Sequence, residues 1–254
     1  MSHFVVGVLC NEPHEVEDLL APYQENNMGD CPRKFMEFED GTADIKEYYE
    51  QSDKKDSMTI DEYAEDEGYT KHKGVYGYWH NPNCKWDWYQ VGGRWSGFLR
   101  LKPNATSGDM GEKSWANEGK EDDPNRVDIA QLKDIDFSPD KKEYKRAERE
   151  WELRVEGAEP KNEKEEKTVQ WGYNKEYYIK TYKTKERFAN YCASFHMFAL
   201  VDPDGGWHEG ETMGWFGCSS GEGDDRTVWG EKFYDEYIKG KYEDLYLVVV
   251  DCHI

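Results

Sequence analysis

Two apolar runs bracket the chain. Residues 3–10, from His3 through Val5, Val6 and Val8 to Cys10, and residues 244–252, with Leu245, Leu247 and three successive valines, are short, β-branched and apolar at both alternating positions. That pattern predicts strands covered on both faces, at the centre of a sheet rather than its edge. If the two lie side by side, both ends of the chain enter the core. Residues 75–79, 86–91 and 94–101 alternate in the strand manner, with Asn81-Pro82-Asn83 as a turn and Gly92-Gly93 as a bulge or tight bend. They predict an antiparallel β meander. Residues 196–201 read as a further strand, Asp202-Pro203-Asp204-Gly205-Gly206 as its turn, and residues 212–218 as a continuation of the sheet.

Helical spacing appears between these strands. Val16, Leu19 and Leu20 mark a short helix in residues 13–21. Thr59 with Glu62 three residues on forms a capping box for another. Ser138-Pro139 opens a longer helix that stops at Gly157, with Tyr144, Ala147, Trp151 and Val155 as a narrow apolar stripe on a charged rod. Residues 184–194 and 228–237 give two more helices. Residues 103–126 read as loop, 157–167 as a charged linker and 169–182 as aromatic strand. The fold class expected is α+β: an antiparallel or mixed central β-sheet with flanking helices, built as one core from residues 1–102 and 186–254, with residues 103–185 as a charged helical insertion or arm.

Composition sharpens this picture. Aromatic residues make up 15 % of the 254, far too many for an acidic disordered chain, so the formal charge of −21 belongs to the surface of a folded protein. The first 70 residues hold 19 Asp and Glu against 5 Lys and Arg, or −14 of that charge. Such a balance argues against direct binding to nucleic acid or to anionic membrane. No apolar run approaches the roughly 18 residues of a membrane span, and the first residues lack a basic segment followed by an apolar one. A cytoplasmic protein is therefore expected. The six cysteines, Cys10, Cys31, Cys84, Cys192, Cys218 and Cys252, contain no CxxC pair and read as reduced thiols. His80 and Cys84 form a single local pair, where a structural zinc site shows two. No metal and no cofactor is expected.

The most distinctive local string is Gly92-Gly93-Arg94-Trp95-Ser96-Gly97. It has neither the dinucleotide-binding nor the P-loop spacing. Its glycines would permit a phosphate cradle with Arg94 as a bidentate donor; the alternative is a glycine bend with Arg94 paired to a carboxylate. In Asp251-Cys252-His253, strand alternation puts Cys252 and His253 on opposite faces, so the neighbours form no nucleophile pair by themselves. Asp61, Glu62, Glu65, Asp66 and Glu67, together with Trp86, Trp88, Tyr89, Arg94 and Trp95, are the residues expected to meet a protein partner. The carboxylates would oppose a basic groove and the aromatics would act as anchors.

Several strings point beyond this. Met1-Ser2-His3-Phe4, residues 20–27 (LAPYQENN), residues 86–95 (Trp-Asp-Trp-Tyr, two residues, Gly-Gly-Arg-Trp), Met213-Gly214-Trp215 and Val250-Asp251-Cys252-His253-Ile254 resemble a family of mostly uncharacterised proteins encoded by phages and prophages. The resemblance covers both ends and the aromatic strands, and not residues 103–185. It implies a counter-defence factor, similar to the phage inhibitor of the Gabija complex: a non-enzymatic protein in the cytoplasm of the infected bacterial host that binds a bacterial defence protein complex stoichiometrically and occludes its DNA-binding face, with self-association into a homo-oligomer expected for such an inhibitor. The alternatives are a sponge for a nucleotide immune signal, using Gly92, Gly93, Arg94 and nearby aromatics, and an enzyme using Cys252 or the histidines.

Overall fold

The computed structural model describes residues 2–119, 121, 123–213, 218 and 225–254. The chain divides into two compact units, Leu20–Trp88 and the remainder, Met1–Leu19 with Tyr89–Ile254. The fold is α+β with a mixed seven-stranded sheet.

In the larger unit the two terminal runs form the centre of that sheet. His3–Cys10 and Tyr246–His253 pair antiparallel along all eight residues, from His3 opposite His253 to Cys10 opposite Tyr246. His3–Cys10 also pairs in parallel with Ala199–Val201, which pairs antiparallel with Trp207–Glu209. On the other side of Tyr246–His253 lie Trp88–Gly93 and then Glu112–Lys113, and Ile129–Gln131 pairs with its first half. Burial confirms the reading of two covered faces. Val6, Val8, Val248 and Val250 on one face, and Leu9, Leu247 and Val249 on the other, are 0 % exposed. The second set joins Leu99, Ile135, Leu200 and Phe233 in the main core.

Residues 103–185, expected as an insertion, fall within this unit, and Ile129–Gln131 contributes a strand to the central sheet. The long helix is Lys141–Trp151, continued by a π turn over Glu152–Glu156 and ended by Gly157 in the left-handed region. Its cap is Asp140, two residues beyond the expected Ser138, with its carboxylate accepting from the amides of Lys142 and Glu143. The apolar stripe packs inside the unit: Ala147, Trp151 and Val155 meet Tyr178, Tyr182, Phe188 and Ala189 of the helices that follow.

The strand expected at 169–182 is instead two helices, Glu163–Gln170 and Lys175–Tyr182. Asn162 and Asn174 cap them by accepting from the amides of Glu165 and Tyr177. Tyr178 and Tyr182, four apart, then share one buried face, which overrides the β preference of the aromatics. The charged stretch before them is ordered by a fork: Arg149 donates to both oxygens of Glu165 at 3.1 and 2.7 Å and draws that carboxyl down to about 2. The helix expected at 184–194 is Lys185–Ala193, capped by Thr184. The last is Asp225–Phe233 with a π turn to Ile238. The sheet continuation expected at 212–218 lies largely outside the described residues.

The smaller unit has its own sheet, Glu37–Asp40, Val75–His80 and Thr70–His72, with Val75–His80 in the middle. Helices Thr42–Gln51 and Ile60–Asp66 close over Ile45, Tyr63, Ala64 and Tyr76. The capping box of Thr59 and Glu62 is present. The expected meander does not form, because Val75–His80 and Trp88–Gly93 belong to different sheets. The returning segment is captured first. Lys85 donates to the Tyr23 carbonyl at 2.8 Å, Glu25 donates to that of Trp86 at 2.7 Å, and the Asn81 amide spans the carbonyls of Pro22 and Gln24 at 2.8 and 2.9 Å. No helix among the described residues is long and apolar enough to cross a membrane.

The aromatic cluster around Trp151 gives a direct test. Trp151 is 5 % exposed and contacts Tyr178 and Phe188. Trp151→Ala should cost about 3–5 kcal/mol, read as a lower urea midpoint.

Candidate functional site

The glycine string forms a tight loop at the end of strand Trp88–Gly93, and the cause of its shape is visible beneath it. Gly92, Gly93 and Gly97 have φ of 80°, 54° and 79°, the left-handed region that glycine enters without strain. A Cβ on Gly92 would stand 2.5 Å from an Asp128 carboxylate oxygen, and one on Gly93 would stand 2.5 Å from the Asp251 side chain. Both aspartates are fully buried. Asp128 accepts from the amides of Gly97 and Gly111 at 2.6 and 2.9 Å and from the Ser96 hydroxyl at 3.3 Å. Asp251 accepts from the Arg94 amide at 2.9 Å and lies 2.8 Å from His3 Nδ1. The Asn117 amide closes the loop by donating to the carbonyls of Gly93 and Arg94.

The loop amides that could have held a phosphate are thus occupied by the chain's own carboxylates. The bend reading holds with one change: a carboxylate takes the Arg94 backbone amide, while its exposed guanidinium stands 5.9 Å from the Trp115 ring.

Beside this loop two cavities adjoin, sharing Trp95, Phe98, Cys192 and Ser194. The larger, about 580 Å³, is walled by aromatics including Trp95, Phe98, Phe198 and Trp229, with His196, Tyr191, Ser194 and the Glu211–Arg226 ion pair among its polar groups. The indole N–H of Trp229 is spent on the Met197 carbonyl at 2.7 Å, so Trp229 offers only its ring. His196 Nδ1 sits 3.1 Å from the Ser194 carbonyl, which can only accept, so Nδ1 carries the proton and Nε2 is an acceptor. Burial, and then the Arg226 charge, hold this imidazole below its usual pKa against the opposing Ser194 contact. Burial likewise pushes the Tyr191 phenol up, and the Cys192 thiol up to about 12, which leaves that thiol a poor nucleophile near neutrality. The second cavity, about 410 Å³, contains Arg100, Arg126, Asp136, Asp140 and Glu143.

The ten residues expected to meet a partner fall into three situations. Asp61, Glu62, Glu65 and Asp66 stand on helix Ile60–Asp66, with Glu67 as its cap. Four of these five are already engaged within the smaller unit: Asp61 with Lys71 and the Tyr76 hydroxyl, Glu62 with Thr59, and Asp66 and Glu67 with Lys54. Trp86 is 4 % exposed and its indole donates to the Leu20 carbonyl, so it is a core residue and not a surface anchor. Trp88 is 43 % exposed and Arg94 is exposed, whereas Tyr89 and Trp95 are half-buried, Trp95 against the main core. Exposed aromatics that the sequence did not single out include Trp115, Trp171, Tyr173 and Tyr242. Cys252 is fully buried in the central sheet. Among the described residues no group of three or more His, Cys, Asp or Glu could hold a metal ion.

No family model, no curated protein and no solved structure matches the chain.

Two outcomes follow from this geometry. Asp128→Ala strands three donors in the interior and should cost roughly 3 kcal/mol or more, with Asp128→Asn milder because an acceptor oxygen remains; urea unfolding of both variants checks this. For His196, the unfolded ring titrates near 6.5 and the folded one lower, so between those values the unfolded chain binds more protons. Its contribution to stability is present above about pH 6.5 and is lost as pH falls through the unfolded value toward the folded one. His196→Gln should therefore flatten the decline in melting temperature between about pH 7 and pH 5.

Proposed function

We propose that the chain is a phage counter-defence protein that binds a bacterial nucleic-acid-acting defence complex of the Gabija type and inhibits it stoichiometrically by occluding its DNA-binding face. The observation that carries this reading is the placement of the acidic segment. Residues 35–70 lie within the folded unit Leu20–Trp88, which has its own core, so exposed carboxylates such as Glu37, Asp44, Asp53, Asp56 and Glu65 are presented at fixed positions. A rigid negative array complements a groove built for phosphates, speeds encounter, and loses little entropy when it docks. Aromatic anchors suit the same role. Trp171 and Tyr173 stand 76 % and 60 % exposed on a turn pinned from below by Arg154, which donates to both of their carbonyls at 2.6 and 3.3 Å. The family strings and the overall acidity agree with it.

A second reading, sequestration of a nucleotide signal, draws on the aromatic cavity beside the loop rather than on Gly92, Gly93 and Arg94. The enzymatic alternative has less support, since Cys252 lies inside the sheet.

The test is capture with an amino-terminal tag from bacteria carrying a panel of defence systems, read by mass spectrometry and native mass. The expected result is a fixed-ratio complex with a DNA-acting defence protein and loss of immunity in those cells. The triple variant Asp44→Lys, Asp53→Lys, Glu65→Lys should slow association about tenfold at low salt with an unchanged melting temperature. A protein that captures no defence complex and leaves defended cells immune would overturn the proposal.

A further inference from the structure

The cavity holding His196 has a chemistry specific enough to name its ligand. His196 lies deep in the larger unit, keeps part of its surface exposed and lines the cavity. The Ser194 carbonyl fixes the tautomer, so Nε2 is a lone pair with no partner among the described residues. Tyr191, whose ring lies 4.5 Å from the imidazole, has a hydroxyl that is likewise without a hydrogen-bond partner among the described residues. Unspent polar groups in an apolar setting are costly unless a ligand or water satisfies them. Around them stand the rings of Trp95, Phe98 and Trp229, and the volume of about 580 Å³ is that of small-molecule sites.

Charge then decides what kind of molecule fits. The Arg226 guanidinium is matched by Glu211 at 2.5 Å, so the pair brings no net positive charge. In the adjoining cavity Arg100 and Arg126 face three carboxylates, Asp136, Asp140 and Glu143, and each arginine already has a carboxylate within 3.7 Å. A phosphate would find no net positive charge in the larger cavity and an excess of negative charge in the adjoining one. Ribose hydroxyls can donate to those carboxylates.

We propose that this cavity is a binding site for a neutral purine nucleoside, its base lying among Trp95, Phe98 and Trp229 and donating an N–H to His196 Nε2, with the hydroxyl of Tyr191 as a second polar contact. The inference deepens the sequestration reading, on which it rests, by exchanging a charged nucleotide for an uncharged nucleoside. It is independent of occlusion of a defence complex.

The experiment is calorimetric titration and thermal shift of the whole chain with four probes: adenosine, guanosine, purine riboside, which lacks the exocyclic amino group, and AMP. Adenosine or guanosine should raise the melting temperature progressively with concentration. Purine riboside and AMP should each bind at least tenfold more weakly than adenosine. His196→Phe keeps a ring against Tyr191 but removes the acceptor, and should weaken binding tenfold or more; Tyr191→Phe serves the same purpose if the first variant does not fold. The proposal fails if neither nucleoside shifts the melting temperature in the millimolar range, or if His196→Phe binds as the parent does. AMP binding as tightly as adenosine or more tightly would also overturn it, while leaving sequestration of a nucleotide standing.

Discussion

The pairing of His3–Cys10 with Tyr246–His253 is the constraint on which the larger unit depends. Eight consecutive residue pairs join segments separated by nearly the whole chain. The strands to either side, Ala199–Val201 and Trp88–Gly93, are added to this pair. The closure entropy of so long a loop grows only slowly with length, and two continuous apolar strands whose side chains are covered on both faces offset it. A one-residue slip would leave the apolar content of each face intact, since both faces are apolar. Apolar patterning therefore does not set this register. Specific polar contacts near the end of the last strand do so, with Asp251 reaching both His3 and the Arg94 amide.

Asp251 and Asp128 show how a glycine-rich loop can resemble a phosphate site and be something else. A phosphate cradle and this loop use the same means, backbone amides made approachable by missing side chains. The difference lies in what already occupies the amides. Two buried carboxylates fill the position, and the loop becomes a joint between the central strands and the segment carrying Asn117. What remains available lies to one side, where aromatic rings and a neutral imidazole replace the amides and the arginine.

Much of this fold was legible in the sequence because the relevant signals are local. The two buried strands, the Thr59 capping box, the helix ending at Gly157 and the turn after Asp202 each follow from a few adjacent residues, and the structure has all of them. The failure of the meander was non-local. Nothing in the alternation of residues 75–79 and 86–91 reveals that Glu37–Asp40 and Thr70–His72 take both edges of Val75–His80, or that residues 23–25 bond to Lys85 and Trp86. The helices at 163–182 were signalled by Asn162 and Asn174 as caps and by Tyr178 and Tyr182 four apart, and aromatic content obscured that signal. Of the site, Arg94 and Trp95 were found through the glycines beside them. His196 and Tyr191 become informative only when the tautomer and the cavity are seen, and Asp128 only when three donors converge on it.

The strand pairing continues past His3 and His253: Ser2 and Ile254 exchange both backbone hydrogen bonds, at 2.9 and 3.1 Å. In topological terms the central pair is a hairpin cut open at its turn. A short reverse turn joining those residues would make the central pair an ordinary hairpin, and the cut could be moved to an exposed turn such as that at Asp204, giving a circular permutant with the same sheet. In that permuted chain the most distant contact of the native molecule would become the most local one, and the order in which the sheet assembles would change while its architecture did not.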